Sequence, residues 1–158
     1  MKGIQNVLVV TLLGVLVVGC AGPRTELHST YAYSPENTFD IRIENSDVVP
    51  EQSLSVFKTQ LGVQTEDLKT DNEQPMRVVT IEFTDYRSRH AGVIHDRELL
   101  GGGDAITSIT TIKDAQLGEV LGRVEHTSNN PHSRSGLNST LRFHADQIAH
   151  YVLTGEIR

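Results

Sequence analysis

Met76-Arg77-Val78-Val79-Thr80-Ile81-Glu82-Phe83-Thr84-Asp85-Tyr86 is the stretch on which the fold turns. In an extended chain Val79, Ile81 and Phe83 point one way, and Val78, Thr80 and Glu82 point the other. That alternation is the period of a half-buried strand. Towards the N-terminus the chain from Thr65 to Pro75 is polar and acidic and reads as a loop. Before it, Leu54, Phe57 and Leu61 repeat at helical spacing, and Gly62 offers a stop. Pro50 suits the first turn of that helix, where its missing N–H does no harm, and Glu51 suits the positive end of the dipole. Earlier still, Phe39, Ile41 and Ile43 alternate with Asp40, Arg42 and Glu44, a second half-buried strand that Asn45-Ser46-Asp47 interrupts.

Towards the C-terminus, a polar stretch from Arg87 to Asp104 ends in Gly101-Gly102-Gly103. Ala105 to Lys113, rich in Ile and Thr, reads as a strand. Asp114 to Gly118 reads as a hairpin turn, and Glu119 to Thr127 as its return strand with Val120 and Val124 on one face. Ser128 to Gly136 is a loop. The last segment is an amphipathic helix: Leu137, Leu141, Ala145, Ile148, Ala149 and Val152 form one apolar stripe, and Gly155 ends it. The expected fold is α+β, in the order β-α-β-β-β-α, with a mostly antiparallel sheet and two helices packed on one face. A right-handed crossover would make the first two strands a parallel pair.

The chain has 158 residues, with 20 acidic against 14 basic side chains and a net charge of -6. That length fits one domain with an extra segment at an end. The acidic balance argues against a nucleic-acid protein, since phosphate binding needs a basic patch. A single cysteine excludes an internal disulfide framework and any CxxC motif.

The N-terminus gives an address. Lys2 is the only charge before Arg24, and Val7 to Val18 is apolar apart from Thr11 and Gly14. A positive start followed by a short apolar run is a secretory signal, too short to span a bilayer comfortably. Val17-Val18-Gly19-Cys20 then resembles the bacterial lipobox. The resemblance implies cleavage after Gly19 and acylation of Cys20, with palmitate among the acyl chains, so that residues 1–19 are a signal peptide. Two or three acyl chains anchor a protein firmly where one does not. Ala21 is not the Asp that commonly retains lipoproteins at the inner membrane. The implied destination is the cell outer membrane, on its periplasmic side. Residues 20–37 show no sustained period and read as a lipidated tether, and 38–158 as the folded domain. A second reading of the tether has Tyr31 and Tyr33 alternating in a short edge strand.

No complete catalytic set is visible, so the chain is read as a non-enzyme without a cofactor. Seven histidines, His28, His90, His95, His126, His132, His144 and His150, lack an HExxH frame. His90 with His95, and His126 with His132, flank loops, which leaves a metal site on loop histidines as the alternative to scattered surface histidines. Asp146 and His150 share a helix face, but no serine sits in a GxSxG elbow. Gly101-Gly102-Gly103 is followed by Asp104, which would repel phosphate. On the last helix Phe143 lies about 160° from Leu141. With Gln147 and His150 nearby, it is a candidate partner-contact patch on the outer face.

The strand Val78–Tyr86, the hairpin segments Ile112-Lys113-Asp114 and Gly118–Gly122, and the closing His144–Val152 together resemble a group of uncharacterised small bacterial outer-membrane lipoproteins. The resemblance spans roughly residues 38 to 154 and implies a small α/β domain with no established activity. The combined expectation is a lipid-anchored binding or accessory module. It would touch the membrane through Cys20 and an envelope protein through its folded domain, and would not bind nucleic acid. A periplasmic metal or small-ligand binder is the alternative.

Overall fold

The computed structural model describes residues 24–29, 31–66, 76–88, 103–130 and 136–157. Five strands, β1 (Arg24–Ser29), β2 (Phe39–Glu44), β3 (Arg77–Arg87), β4 (Asp104–Asp114) and β5 (Val120–Asn130), form one sheet in the order β1-β5-β4-β3-β2. Two helices, α1 (Glu51–Gln64) and α2 (Gly136–Thr154), cover one face of it. Only β2 and β3 run parallel, joined through α1; every other pair is antiparallel. The expected α+β class and the β-α-β-β-β-α order are thus present, with one more strand at the N-terminal side.

The alternating strands bury the predicted faces. Val79, Ile81 and Phe83 of β3 are inaccessible to solvent or nearly so, as are Ile106 and Ile112 of β4 and Val124 of β5. The α2 stripe Leu141, Ala145, Ile148, Ala149 and Val152 lies over them, and α1 contributes Leu54, Phe57 and Leu61. Phe57 meets Phe83 edge to face, with ring centroids 5.1 Å apart, a favoured aromatic arrangement. Side-chain bonds tie the layers together. Gln60 Nε2 of α1 donates to Asp146 Oδ1 of α2 at 2.8 Å, and the Ser53 and Tyr86 hydroxyls bond across α1 and β3 at 2.8 Å.

The turn chemistry follows from short-range bonds. Asp114 Oδ1 accepts the backbone N–H groups of Gln116 and Leu117 at 2.9 Å each, closing the β4–β5 hairpin. Those two bonds, with Arg77 nearby, hold the Asp114 carboxyl below the usual carboxylate range. Gly155 sits at φ 74 and its N–H caps α2 by bonding the Tyr151 carbonyl at 2.8 Å. This is the left-handed conformation that favours glycine at a helix end.

Three sequence expectations are corrected. Gly62 does not end α1: the helix runs to Gln64, and the Thr65 backbone N–H and hydroxyl close it on the Leu61 carbonyl at 3.0 and 2.8 Å. Val120 is exposed while Val124 is buried; Val120 lies at the hairpin end, next to a register shift between Ile112 and Lys113. The segment 20–37, read as a tether, holds ordered structure from residue 24. β1 pairs with β5, so the folded part starts before Thr38. Tyr31 is buried against Tyr151, with ring centroids 6.3 Å apart, and its hydroxyl accepts a bond from Asn37 Nδ2 at 3.1 Å. The edge strand lies at 24–29, ahead of Tyr31 and Tyr33 and not through them.

Candidate functional site

The polar groups that converge are those between α2 and the middle of the sheet. β4 points Ser108 inward, β5 points His126 and Ser128 inward, and α2 lowers His144 and Gln147 onto them. Four of them fall on the inward register of their elements, 108 with Ile106 and Ile112, 126 and 128 with Val124, and 144 within the Leu141 stripe, whereas Gln147 is drawn in by Ser128. His144 lies between two serines, with Nε2 2.9 Å from Ser108 Oγ and Nδ1 2.9 Å from Ser128 Oγ. Ser128 Oγ also donates to Gln147 Oε1 at 2.9 Å. A hydroxyl has one proton to give. Ser128 therefore accepts from His144 Nδ1–H, and His144 Nε2 accepts from Ser108. The network fixes one neutral tautomer of His144.

The His126 ring stands edge-on to His144 at 6.3 Å and to Tyr151 at 6.1 Å between centroids. Neither of its ring nitrogens meets a hydrogen-bond partner among the described residues. Burial holds the His126 pKa down to about 4. Burial, with the second imidazole adjacent, holds His144 down to about 3. Burial also pushes the Tyr151 hydroxyl up to about 12.

The serine–histidine contacts carry no route to substrate, because Ser108, Ser128 and His144 are all at 0% exposure. What the network can do is specify packing. A buried polar group left without its partner costs about 1–3 kcal/mol. Ser128→Ala strands both His144 Nδ1–H and the Gln147 carbonyl oxygen, whereas Ser108→Ala removes one bond. The expected losses are about 3 kcal/mol and about 1 kcal/mol, respectively, read from urea unfolding at pH 7. Equal losses in the two variants would refute the second bond of Ser128, the one to Gln147.

The sequence-predicted groups are not brought together. Phe143 is exposed at 46%, as its place on α2 implied. Gln147 is buried at 4% exposure, drawn inward by the Ser128 bond, and so leaves the proposed outer patch. His150 is half-buried and its Nε2 lies 3.5 Å from the Thr154 hydroxyl. Asp146 is engaged by Gln60. Among the histidines, His28 lies on exposed β1, while His90, His95 and His132 fall outside the described residues, as does Cys20. His126, expected at a loop flank, is a core residue of β5 and is withdrawn from any loop ligand set. Among the described residues no three His, Cys, Asp or Glu side chains are placed to hold a metal ion, and no helix is long and apolar enough to cross a membrane.

The second surface feature is a groove of about 330 Å³ between β2 and α1. Phe39, Ile41, Ile43 and Leu61 supply its apolar wall, and Asp40 and Lys58 its polar rim.

This α+β sandwich of one sheet and two helices is shared with solved proteins. No known family and no curated protein matches the sequence. Two structures of the PelC dodecamer from Paraburkholderia phytofirmans, in different crystal forms, superimpose with TM-scores of 0.57 and 0.55. Their identities are 13% and 12%, and each match covers 84% of this chain and 98% of theirs. At that identity the likeness establishes the fold. A Caulobacter crescentus protein provisionally described as a lipoprotein aligns more loosely, with a TM-score of 0.39, 10% identity, and coverage of 73% of this chain and 87% of its own.

Proposed function

We propose that the chain is a lipid-anchored module of the bacterial outer membrane, attached through Cys20 and working as a non-enzymatic binding unit on another envelope component. The observation that carries this reading is the N-terminal arrangement: Lys2, the apolar run Val7–Val18, and Val17-Val18-Gly19-Cys20. The described fold is consistent with it. Among the described residues the serine–histidine network is sealed inside, and the groove and the two sheet edges are open surfaces suited to binding. The PelC proteins of like fold are dodecamers, which supports a module that acts by assembly.

Cys20→Ala tests the anchor. Cells fed labelled palmitate are expected to label the wild-type chain and not the variant, and the wild-type chain alone is expected to run as the cleaved, acylated form. Equal palmitate labelling of both chains overturns the assignment.

A further inference from the structure

The sheet ends in β1 on one side and β2 on the other, and among the described residues no strand pairs with either outer edge. An unpaired edge is a template for another strand. β2 is parallel to β3, while β3, β4, β5 and β1 alternate in direction. The two edges therefore run in opposite senses, and a β1 placed beside β2 in a continuing sheet lies antiparallel to it.

Face and charge then select a register. Ile41 and Ile43 pair with Val79 and Ile81, so they lie on the helix-covered face; Thr25 and Leu27 pair with His126 and Val124, on the same face. Matching faces requires odd residues opposite odd ones. In one such register Leu27 stands opposite Ile41 and Thr25 opposite Ile43, with Glu26 opposite Arg42 on the open face. A slip of two residues either way sets Glu26 against Asp40 or Glu44, a like-charge pair that is destabilising. Leu27 is exposed at 41%, and in the favoured register it lies over the mouth of the apolar groove beside Ile41. Among the described residues the Arg42 side chain is bonded only along its own strand, to Asp40 at 2.7 Å, with both side chains open to water at 60% and 37%. Such a surface pair is worth little, so Arg42 is cheaply shared with a partner.

We propose that β1 of one copy adds antiparallel to β2 of the next, with Glu26 opposite Arg42 and Leu27 closing the groove at Ile41. The occupant of the groove edge is a second copy of this chain. The contact is head to tail, so it propagates into a ring if the rotation closes and a filament if it does not. The register shift between Leu27 and Ser29 limits the pairing to the first part of β1, as bulges at edges do. The inference rests on the anchored reading above and goes beyond it by adding self-assembly.

The test mixes two full-length acylated proteins in detergent, one carrying Glu26→Cys and the other Arg42→Cys, under mild oxidation. The mixture is expected to give a cross-linked dimer that neither variant gives alone. In sedimentation, Glu26→Arg and Arg42→Glu are each expected to weaken self-association about tenfold, because like charges then stand directly opposite across the strand pair. Both changes in one chain are expected to restore it. These side chains are on the surface, and unchanged circular dichroism confirms the fold of each variant. A monomeric wild-type chain at micromolar concentration overturns the inference, as does association that ignores the single reversals. Palmitate labelling of the same proteins reads the anchor separately, so a failure at the edges leaves the anchored reading standing.

Discussion

Acidification from pH 7 towards pH 4 is expected to strip most of the domain's stability. The cause is the buried imidazole pair. His126 and His144 are neutral in the fold, with pKa values held to about 4 and about 3 against 6.5 for a free imidazole. Below pH 6.5 the unfolded chain takes up protons that the folded chain refuses. Stability then rises with pH across that window and falls as pH drops through it. Two such groups give a slope of at most about 2.7 kcal/mol per pH unit, against a total stability of about 5–15 kcal/mol for an ordinary domain. Urea unfolding at a series of pH values reads the slope. His126→Leu is the informative variant: it removes a titrating ring whose nitrogens bond nothing described and keeps an apolar side chain of similar size. It is expected to match or exceed wild-type stability at pH 7 and to lose roughly half the slope between pH 6 and pH 5. A wild-type profile that stays flat from pH 7 to pH 5 would show that the two rings are not buried together.

The regular elements were legible because their periods were strong. Val79, Ile81 and Phe83 announced β3, and the Leu141 stripe announced α2, since in each the apolar residues recur at the element's own period. β1 carries no such signal. Arg-Thr-Glu-Leu-His-Ser offers a single large apolar side chain, Leu27, and its strand geometry is imposed by the β5 ladder. The buried polar network was partly legible. His126 shares its parity with Val124, and His144 lies about 60° from Leu141 on a helical wheel, inside the apolar stripe. Position thus marked both as core residues, while residue type suggested surface. Gln147, about 120° from Leu141, had no such mark; Ser128 holds it inward from the sheet, a contact between segments that periodicity does not encode.

Tyr31→Ala is expected to cost about 3–5 kcal/mol, the range for removing a buried aromatic ring, although the residue lies in a segment whose composition reads as a linker. Tyr31 is at 6% exposure, edge-on to Tyr151, and its hydroxyl holds Asn37, itself buried. Two glycines are shaped to it. A methyl group at Gly122 would sit 2.5 Å from Tyr31 Cβ, and one at Gly155 would strike the Tyr31 carbonyl oxygen. The tyrosine therefore pins the segment after β1 to the hairpin strand β5 and to the end of α2 at once. Tyr31→Phe keeps the ring and loses only the Asn37 bond, so its expected cost is about 1 kcal/mol. Gly122→Ala is expected to cost about 1–3 kcal/mol by overpacking. That cost should persist in a Tyr31→Ala background, because alanine keeps the Cβ in the methyl's way and the Tyr151 hydroxyl stays 2.5 Å from it. Thermal unfolding of these variants reads the losses. A free linker would give losses within about 0.5 kcal/mol for either tyrosine change, and that result would detach β1 from the fold together with the edge on which self-assembly depends.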